Sequence, residues 1–459
     1  MLAAAILLAP TCTQPRLGGR GLNIVFACRA DNDLYHLLAM TGHPCPRYET
    51  AADAIAHAPC GSGILVLADA YPATTTALDA VLLDAARERN LRLYVEYPTA
   101  LPGLDMGTRS HARLERIIVA SDFFGPSLAR LRILSIHDCT FLSVTVDKAH
   151  LVLGRVAGFD TAVFGMPKET LPVLFEYPNG GRAKAGLPPP GVLVATTKLS
   201  QFATARYAPS DAWRTVWRSI LGWLCPGQDV PKLEWTPTVR PSFAANDTLP
   251  PDFEAQAFRR GADWFKNSGL LIPRKDVKPG QVGWRVDVPH PTLSPGGKVL
   301  GDGKFGLMEG FASTIRLDGS QTVLAGVRND CNGESSMAFA FGGVLLGEPF
   351  YTSVAANLND YIYFHSLLAQ GPRADSKSPS FGLVGWALGE SEGTYYGDDN
   401  ARSLLGTMAT AALLKTDRWN EAVLRCTLAN LRTAGRYGFR GNALNEQGLQ
   451  QNGWRHYFT

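Results

Sequence analysis

Short apolar runs rich in β-branched residues or leucine recur along the first half of the chain, mostly separated by stretches with helical character. The runs cover residues 23–26, 64–67, 93–95, 116–119 and 192–195. Such alternation is typical of a parallel sheet covered by helices. Residues 207–224 then carry tryptophans and aliphatic residues at helical spacing, which predicts a helix that docks on the sheet. The pattern therefore predicts an α/β domain over residues 21–225.

The second half of the chain has a different pattern. Residues 226–252 are rich in proline and predict an extended linker, and a Gly/Pro-rich stretch at 278–304 predicts a hairpin or long loop. Helical periodicity predicts helices at residues 253–267, 331–346, 351–369, 399–414 and 419–433. We therefore expect an all-α (α/α) domain over residues 253–459, in which the loops of a helical toroid converge on one pocket. A closed double ring needs more helices than this segment predicts, so an incomplete toroid is an alternative.

Composition narrows the choice of partners and compartment. The 459 residues are 46% hydrophobic and 19% charged, with a formal net charge of +3. Basic residues form no run interleaved with aromatics, which argues against nucleic acid as a partner. The apolar run at residues 3–9 is shorter than the ~20 residues of a membrane-spanning helix. We interpret residues 1–20 as a weak export signal, which favours a secreted or periplasmic protein and leaves a cytoplasmic one open.

The sequence offers no recognisable metal or cofactor motif. Eight scattered cysteines include no Cys-x-x-Cys pair, and Cys45 and Cys60 are candidates for a disulfide in an oxidising compartment. The nine histidines form no His-Glu-x-x-His motif, and neither a dinucleotide-binding nor a phosphate-binding glycine motif is present. We therefore expect no metal and no cofactor.

The segment at residues 392–402 concentrates acids, aromatics and an arginine just before a predicted helix. Acids there can protonate a leaving oxygen or hold a water, tyrosines can stack on a sugar ring, and an arginine can bind a carboxylate. The residues in question are Glu392, Asp398, Asp399, Tyr395, Tyr396 and Arg402. The alternative is structural, since Asp398 or Asp399 can simply cap the helix.

Further candidates lie upstream of this segment. Glu309 lies between glycines in a loop, and Asp330 precedes a predicted helix where it can also act as an N-cap. Arg328 can pair with these acids and hold one of them ionised. Arg373 and Trp386 lie in predicted loops and can bind a sugar carboxylate and stack on a ring. Alternatively, Arg373 is only a surface charge and Trp386 only an aromatic residue of the core.

Three segments near the end of the first domain form a recognisable pattern. They are Val-Leu-Val-Ala-Thr-Thr-Lys-Leu-Ser at residues 192–200, Arg-Tyr-Ala-Pro at 206–209, and the helix with Trp213 and Trp217. Through them the domain resembles class I glutamine amidotransferase-like domains. The resemblance implies a flavodoxin-like fold, but an active enzyme needs a nucleophilic cysteine on a glycine-flanked turn. Residues 93–98 at that position contain no cysteine, and Cys139 lacks the glycines. We expect an inactive module that packs or forms homo-oligomers.

A second resemblance is carried by residues 306–310, 328–335 and 396–402. Through them the second domain resembles poorly characterised bacterial proteins with a six-hairpin glycosidase-like α-toroid. The resemblance implies a fold and a carbohydrate substrate, without specifying the sugar.

Together these observations predict a glycoside hydrolase that acts on a polysaccharide or oligosaccharide through paired carboxylates. The predicted catalytic residues are Asp330, Asp398, Asp399 and Glu309. The predicted substrate-binding residues are Arg328, Arg373, Trp386, Tyr395, Tyr396 and Arg402. Two alternatives remain: a non-catalytic glycan-binding or scaffold protein, and a polysaccharide lyase that uses a tyrosine and an arginine.

Overall fold

The chain divides into two units, Met1–Arg240 with Ile315–Gly319, and Pro241–Thr314 with Ser320–Thr459. The computed structural model describes residues 22–112, 114–177, 191–243, 247–273, 285–286, 301–315, 321–389, 392–441 and 443–458. The division lies within the proline-rich segment that the sequence predicts as a linker.

The described residues of the first unit form short strands and four α-helices. The strands are β1 (Ile24–Ala27), β2 (Arg47–Tyr48), β3 (Gly63–Val66), β4 (Arg92–Glu96), β5 (Arg109–His111), β6 (Arg116–Val119), β7 (Ile133–Ile136), β8 (Thr140–Leu142), β9 (Leu151–Gly154), β10 (Leu171–Glu176), β11 (Val192–Ala195) and β12 (Tyr207–Ala208). The helices are α1 (Asp33–Met40), α2 (Ala51–His57), α3 (Ala80–Glu88) and α4 (Ser210–Leu224).

Ten of these strands form one sheet in the order β12-β7-β6-β9-β10-β11-β4-β3-β1-β2. Strands β2, β1, β3, β4 and β11 are parallel to one another. Strand β10 pairs with β11 in antiparallel fashion, and β9, β6, β7 and β12 continue the antiparallel part of the sheet. The α/β prediction is thus confirmed, whereas the sheet predicted to be parallel is mixed. Helices separate the parallel strands in sequence, whereas most of the antiparallel strands are joined without helices.

The parallel half is covered on both faces. Alternate residues of β1 enter different apolar clusters: Phe26 packs with α1 and α4, and Val25 packs with α2 and α3. Burial on both faces explains why these strands appear in the sequence as continuous apolar runs. Helix α4 buries Trp213 and Trp217 completely, as its apolar spacing predicts.

The first part of the predicted linker packs against the first unit. Leu233 is fully buried in its core. The ring of Trp235 lies 4.4 Å from that of Phe202, and the amide of Thr238 donates to the carbonyl of Ala203 over 2.9 Å. The chain is therefore anchored well beyond residue 226, where the sequence places the start of the linker.

From Pro241 onward the chain is mainly helical. The helices are α5 (Phe253–Asn267), α6 (Asn329–Leu346), α7 (Pro349–Asp360), α8 (Gly397–Leu414), α9 (Asn420–Arg432), α10 (Glu446–Asn452) and α11 (Arg455–Phe458). The strands are β13 (Arg285–Val286), β14 (Gly310–Ile315), β15 (Gln321–Leu324), β16 (Thr394–Tyr395) and β17 (Leu444–Asn445), in a three-stranded and a two-stranded sheet. The prediction of an all-α domain is therefore wrong in this respect. The helix predicted at 351–369 ends earlier, since a π-helical turn follows α7 at Tyr361–His365.

Helices α6 and α8 approach each other through glycines. A Cβ atom added to Gly406 would lie 2.2 Å from the carbonyl oxygen of Gly333, and one added to Gly333 would lie 2.7 Å from Cα of Ser403. Beyond this point the contact is polar, because Ser336 Oγ lies 2.9 Å from Thr410 Oγ1. The absence of side chains at the crossing lets the two backbones touch, which brings the N-terminal ends of both helices together.

Two further observations bear on the sequence predictions. Among the helices of the described ranges, none has the length and apolar character needed to cross a membrane. Cys45 is a free, buried thiol, whereas Cys60 is disulfide-bonded. The pairing of Cys45 with Cys60 is therefore wrong.

Candidate functional site

Three carboxyl groups from separate segments meet at one guanidinium. Arg328 donates from Nε and Nη2 to the two oxygens of Asp330 over 3.0 and 2.6 Å. It donates from Nη1 to Glu309 Oε1 over 3.1 Å, and from Nη2 to Asp399 Oδ1 over 3.0 Å. We call these four residues the Arg328 cluster. It holds three of the four acids predicted from the sequence as catalytic.

The two aspartates of the cluster sit in the first turns of α6 and α8. Asp330 is the second residue of α6 and Asp399 the third of α8, while Arg328 and Tyr396 occupy the N-cap positions without side-chain capping bonds. The capping interpretation of these acids is therefore wrong. Because helix N-termini carry partial positive charge, both positions favour the ionised carboxylate.

A buried asparagine fixes the loop that carries Glu309. Asn332, on α6, accepts from the amide of Leu307 over 2.9 Å and donates to the carbonyl of the same residue over 3.3 Å. Two residues later the amide of Glu309 donates to the carbonyl of Gly326 over 2.7 Å. The Asn332 side chain thus acts as a peptide group that ties this loop to the helix start, and it holds Glu309 beside Arg328.

Two other asparagines fix the loop that carries Trp386. Asn400, on α8, accepts from the amide of Val384 over 3.0 Å and donates to its carbonyl over 2.7 Å. Asn329, the first residue of α6, donates to the carbonyl of Gly385 over 2.6 Å. Its own amide donates to the carbonyl of Trp386 over 3.0 Å. One loop is thereby bound to the starts of both helices.

Sequence reasoning missed these three asparagines, although a signal was present. Each lies within two residues of a candidate acid, in Arg-Asn-Asp-Cys-Asn at 328–332 and Asp-Asp-Asn at 398–400. Asparagine is only moderately favoured inside a helix, and it carries both a donor and an acceptor. Its repeated occurrence beside acids at helix starts is therefore a signal for loop attachment.

An aromatic pair borders the Arg328 cluster. The rings of Trp386 and Tyr396 meet edge to face with centroids 5.1 Å apart, and the guanidinium carbon of Arg328 lies 5.6 Å from the Trp386 ring centroid. Both aromatic residues are partly exposed. Trp386 and Tyr396, both predicted to bind substrate, therefore expose part of their rings next to the Arg328 cluster.

Tyr395 and Arg373 lie elsewhere. Tyr395 is fully buried, so the prediction that its ring stacks on a sugar is wrong. Its hydroxyl group donates to Glu446 and accepts from Arg373 Nη1 over 3.1 Å. Arg373 is itself buried and also donates from Nε to the carbonyl of Leu367 over 3.1 Å. Both side chains connect segments inside the unit, and neither contacts the Arg328 cluster.

The remaining candidates lie outside the Arg328 cluster. Asp398 is exposed, and its carboxylate lies 3.9 Å from Arg402 Nη2. Arg402 is half-exposed and also lies 3.8 Å from Asp330 Oδ2. Glu392 lies 3.8 Å from Arg373. The structure thus separates Asp398 and Glu392 from the acids that meet at Arg328.

The electrostatics distinguish Asp399 from its neighbours. Burial, the adjacent negative charge of Asp330 and a hydrogen bond with that carboxyl group raise the pKa of Asp399 to about 6. Burial lowers the pKa of Arg328, but the charges around it, Asp330 foremost, outweigh burial and raise that pKa well above its usual value. Arg328 therefore stays charged while Asp399 changes protonation state near neutral pH.

Other reactive chemistry finds little support among the described residues. They contain no group of three or more His, Cys, Asp or Glu side chains placed to hold a metal ion. Cys139 is buried, and burial raises its pKa to about 12. A thiol with such a pKa is not ionised at neutral pH and is a poor nucleophile.

A scan of the sequence against protein-family models matches none, and searches of curated proteins and of solved structures find no match either.

Proposed function

We propose that the protein is a carbohydrate-active enzyme that hydrolyses a glycosidic bond at the Arg328 cluster. The observation that carries this proposal is the pKa of Asp399, raised to about 6, beside two further acids held by one arginine. Glycoside hydrolysis needs one carboxylic acid that keeps its proton and a second carboxylate that stays ionised.

Asp399 suits the role of general acid. An acid catalyst works best when its pKa lies near the working pH, since it must hold its proton and also release it. Burial and the charge of Asp330 raise the pKa of Asp399 into this range, and the hydrogen bond from Arg328 lowers it only in part. We assign to Asp399 the donation of a proton to the leaving oxygen.

Glu309 suits the role of the ionised partner. One of its oxygens accepts from Arg328, whereas Oε2 is buried and has no hydrogen-bond partner within the described part of the chain. A buried carboxylate oxygen without a donor is costly unless a ligand or water satisfies it. Oε2 is therefore available to a catalytic water or to the reacting carbon of the sugar.

The spacing favours Glu309 over Asp330 as the partner of Asp399. Asp330 Oδ2 and Asp399 Oδ1 accept from the same nitrogen over 2.6 and 3.0 Å. These two carboxyl groups are also hydrogen-bonded to each other, so they lie closer together than the ~5–5.5 Å of a retaining pair and the ~6.5 Å minimum of an inverting pair. Glu309 binds the other terminal nitrogen of Arg328. Asp330, paired through both oxygens, positions Arg328 and supplies the charge that raises the pKa of Asp399.

The aromatic pair supplies a surface for a sugar. Trp386 and Tyr396 are partly exposed and lie beside the guanidinium. Aromatic rings bury apolar surface, as one face of a pyranose requires, and their polar atoms can bond to hydroxyl groups. We assign to them the binding of the sugar next to the cleaved bond.

Assay of the purified protein on a panel of plant and bacterial polysaccharides, with detection of new reducing ends, tests the proposal. We expect Asp399→Asn and Glu309→Gln to lower turnover by about 10²- to 10⁴-fold, the usual range for general acid or base groups. Asp398→Asn is the matched control, because this exposed neighbour should leave turnover nearly unchanged. Wild-type turnover in both Asp399→Asn and Glu309→Gln would refute the assignment.

A glycan-binding protein without catalysis is the second candidate. It is favoured by the fact that all three carboxyl groups of the cluster already bond to Arg328. The same panel separates the two functions, since such a protein retains a polysaccharide in a pull-down and releases no reducing ends. Products with an unsaturated sugar at the new end would instead indicate a lyase.

A further inference from the structure

The parallel half of the first unit has a change of direction in its strand order. Strand β1 lies between β2 and β3, so the chain adds β2 on one side and then crosses to add β3, β4 and β11 on the other. At such a point the loops after two neighbouring strands diverge and leave a crevice at their carboxyl ends. Ligands of open α/β sheets bind in this crevice.

A cavity of about 290 Å³ lies at this position. Its ten lining residues come from the loops after β1, β3 and β11, and every one has a polar or charged side chain. The loop after β1 contributes Arg29 and Asp31, the loop after β3 contributes Asp69, and the loop after β11 contributes Lys198 and Ser200. The volume corresponds to the lower end of small-molecule sites, and the lining favours a small hydrophilic ligand.

A buried carboxylate fixes the wall of this cavity. Glu96, at the end of β4, is fully buried and accepts from the amides of Leu199 and Ser200 over 3.0 and 2.7 Å. It also accepts from Ser200 Oγ over 2.9 Å, and that hydroxyl group accepts from Asn32 Nδ2 over 3.0 Å. The loop that carries Lys198 is therefore held in place before any ligand arrives, which lowers the entropic cost of binding.

The charges in the cavity are largely paired, with two exceptions. Asp31 pairs with Arg29 over 3.0 Å, and Asp33 accepts from the amides of Ala203 and Thr204. Lys198 Nζ donates to the carbonyl of Ala68 over 2.9 Å. Its charge acts on the nearby carboxyl groups of Glu96 and Asp69, but it forms no salt bridge with a described residue. Two of its three protons thus remain for a ligand.

Asp69 is the second exception. Its carboxyl group accepts from the backbone of Arg29, and burial raises its pKa despite the positive charge of Lys198 nearby. The carboxyl oxygens of Asp69 can therefore accept further hydrogen bonds, close to the Lys198 ammonium group, which has protons left to donate.

We propose that this cavity binds a neutral monosaccharide through adjacent hydroxyl groups, one accepting from Lys198 Nζ and the next donating to Asp69. A hydroxyl group is both donor and acceptor, so two neighbouring hydroxyls satisfy an ammonium and a carboxylate at once. An anionic ligand is disfavoured, since the lining contains three carboxyl groups against two cations. This inference is independent of hydrolysis at the Arg328 cluster.

Saturation-transfer NMR with the full chain tests it. The probes are D-glucose, D-galactose and D-mannose, with D-glucuronate and inorganic phosphate as anionic comparisons. We expect at least one neutral sugar to bind, with a loss of affinity of about tenfold or more in Lys198→Met, which removes hydrogen bonds from a charged donor. Asp69→Asn, of the same size, should weaken binding several-fold. Lys168→Met, at an exposed lysine of the same unit, is the matched control.

The Arg328 cluster is itself a proposed sugar site, so each probe is also measured with Glu309→Gln. The signal assigned to this cavity must survive Glu309→Gln and disappear in Lys198→Met. Melting curves establish that the variants are folded. If Lys198→Met is unfolded, Asp69→Asn takes its place as the test variant. Any of three results would overturn the inference: no neutral sugar binds, binding is unchanged in Lys198→Met and Asp69→Asn, or glucuronate or phosphate binds more tightly than the neutral sugars.

Discussion

Asp399 links proton binding to stability. Its pKa is raised from 3.8 to about 6, so the folded protein binds a proton that the unfolded chain has already released between these values. The contribution of this group to the free energy of unfolding is therefore full below pH 4, falls as the pH rises towards 6, and is smallest above it.

We expect Asp399→Asn to abolish this contribution, because an amide does not titrate. Relative to Asp399→Asn, the parent should lose about 2 kcal/mol of stability between pH 4 and pH 7. Urea denaturation of both proteins across this range measures the difference. Asp398→Asn provides the baseline, and parallel pH profiles of the parent and Asp399→Asn would contradict the prediction.

We predict that lysine cannot replace Arg328 without a loss of stability. A guanidinium binds three carboxyl groups at fixed angles, whereas an ammonium is a compact charge that cannot reproduce that geometry. We expect Arg328→Lys to lower the free energy of unfolding by about 1–3 kcal/mol at pH 7, since it leaves buried carboxylates incompletely paired. The loss should shrink at pH 5, where Asp399 is protonated. Arg402→Lys, at a half-exposed position, should change stability by well under ~1 kcal/mol.

At the scale of single residues, the sequence identified the acids but not their exposure. Asp398 and Asp399 are neighbours on a helix and point in different directions, so only one of them reaches Arg328. Tyr395 and Tyr396 differ in the same way, since the first is buried and the second partly exposed. Which member of each pair faces the cluster depends on how α8 is rotated against α6. That rotation is set by long-range packing, which local spacing does not encode.

At the scale of elements, the contact between α6 and α8 depends on glycine. We expect Gly406→Ala to lower the free energy of unfolding by about 1–3 kcal/mol, because the added methyl group would press on the carbonyl oxygen of Gly333. Gly261→Ala is the matched control, since a Cβ atom added there, in α5, would meet no described atom of another segment within 4 Å. There alanine should stabilise the helix by about 0.5–1 kcal/mol. Equal effects of the two changes, measured by chemical denaturation, would refute the close contact.

Elements with strong periodicity were predictable. Helix α5 has the bounds expected from its sequence, and α4, α6, α8 and α9 differ from expectation by a few residues at most. The strands missed were mainly β7 to β10, most of which pair in antiparallel fashion. They follow one another without helices between them, so the alternation of strand and helix that identified the other strands is absent there. The small sheets after Pro241 were missed for a similar reason, because β13, β16 and β17 are only two residues long.

At the scale of the whole molecule, the segment between the two units should be the first to be cut. Its start is anchored through Leu233 and Thr238, so we expect cleavage only after residue 238 and before α5. Brief digestion with thermolysin, followed by mass spectrometry, locates the first cut. A first cut between residues 226 and 238, or inside α6 to α9, would show that the anchoring or the boundary is wrong.

The buried Asn332 also has a chemical consequence for the lifetime of the protein. It precedes Gly333, and an asparagine followed by glycine deamidates readily when its backbone is free, because the next amide nitrogen attacks the side-chain carbonyl. In the folded chain both residues lie within α6, and the side chain is bonded to Leu307. Heating removes this protection, and deamidation then replaces the donor to two carbonyls with a carboxylate. Each excursion to the unfolded state therefore exposes the chain to an ageing reaction that refolding cannot reverse.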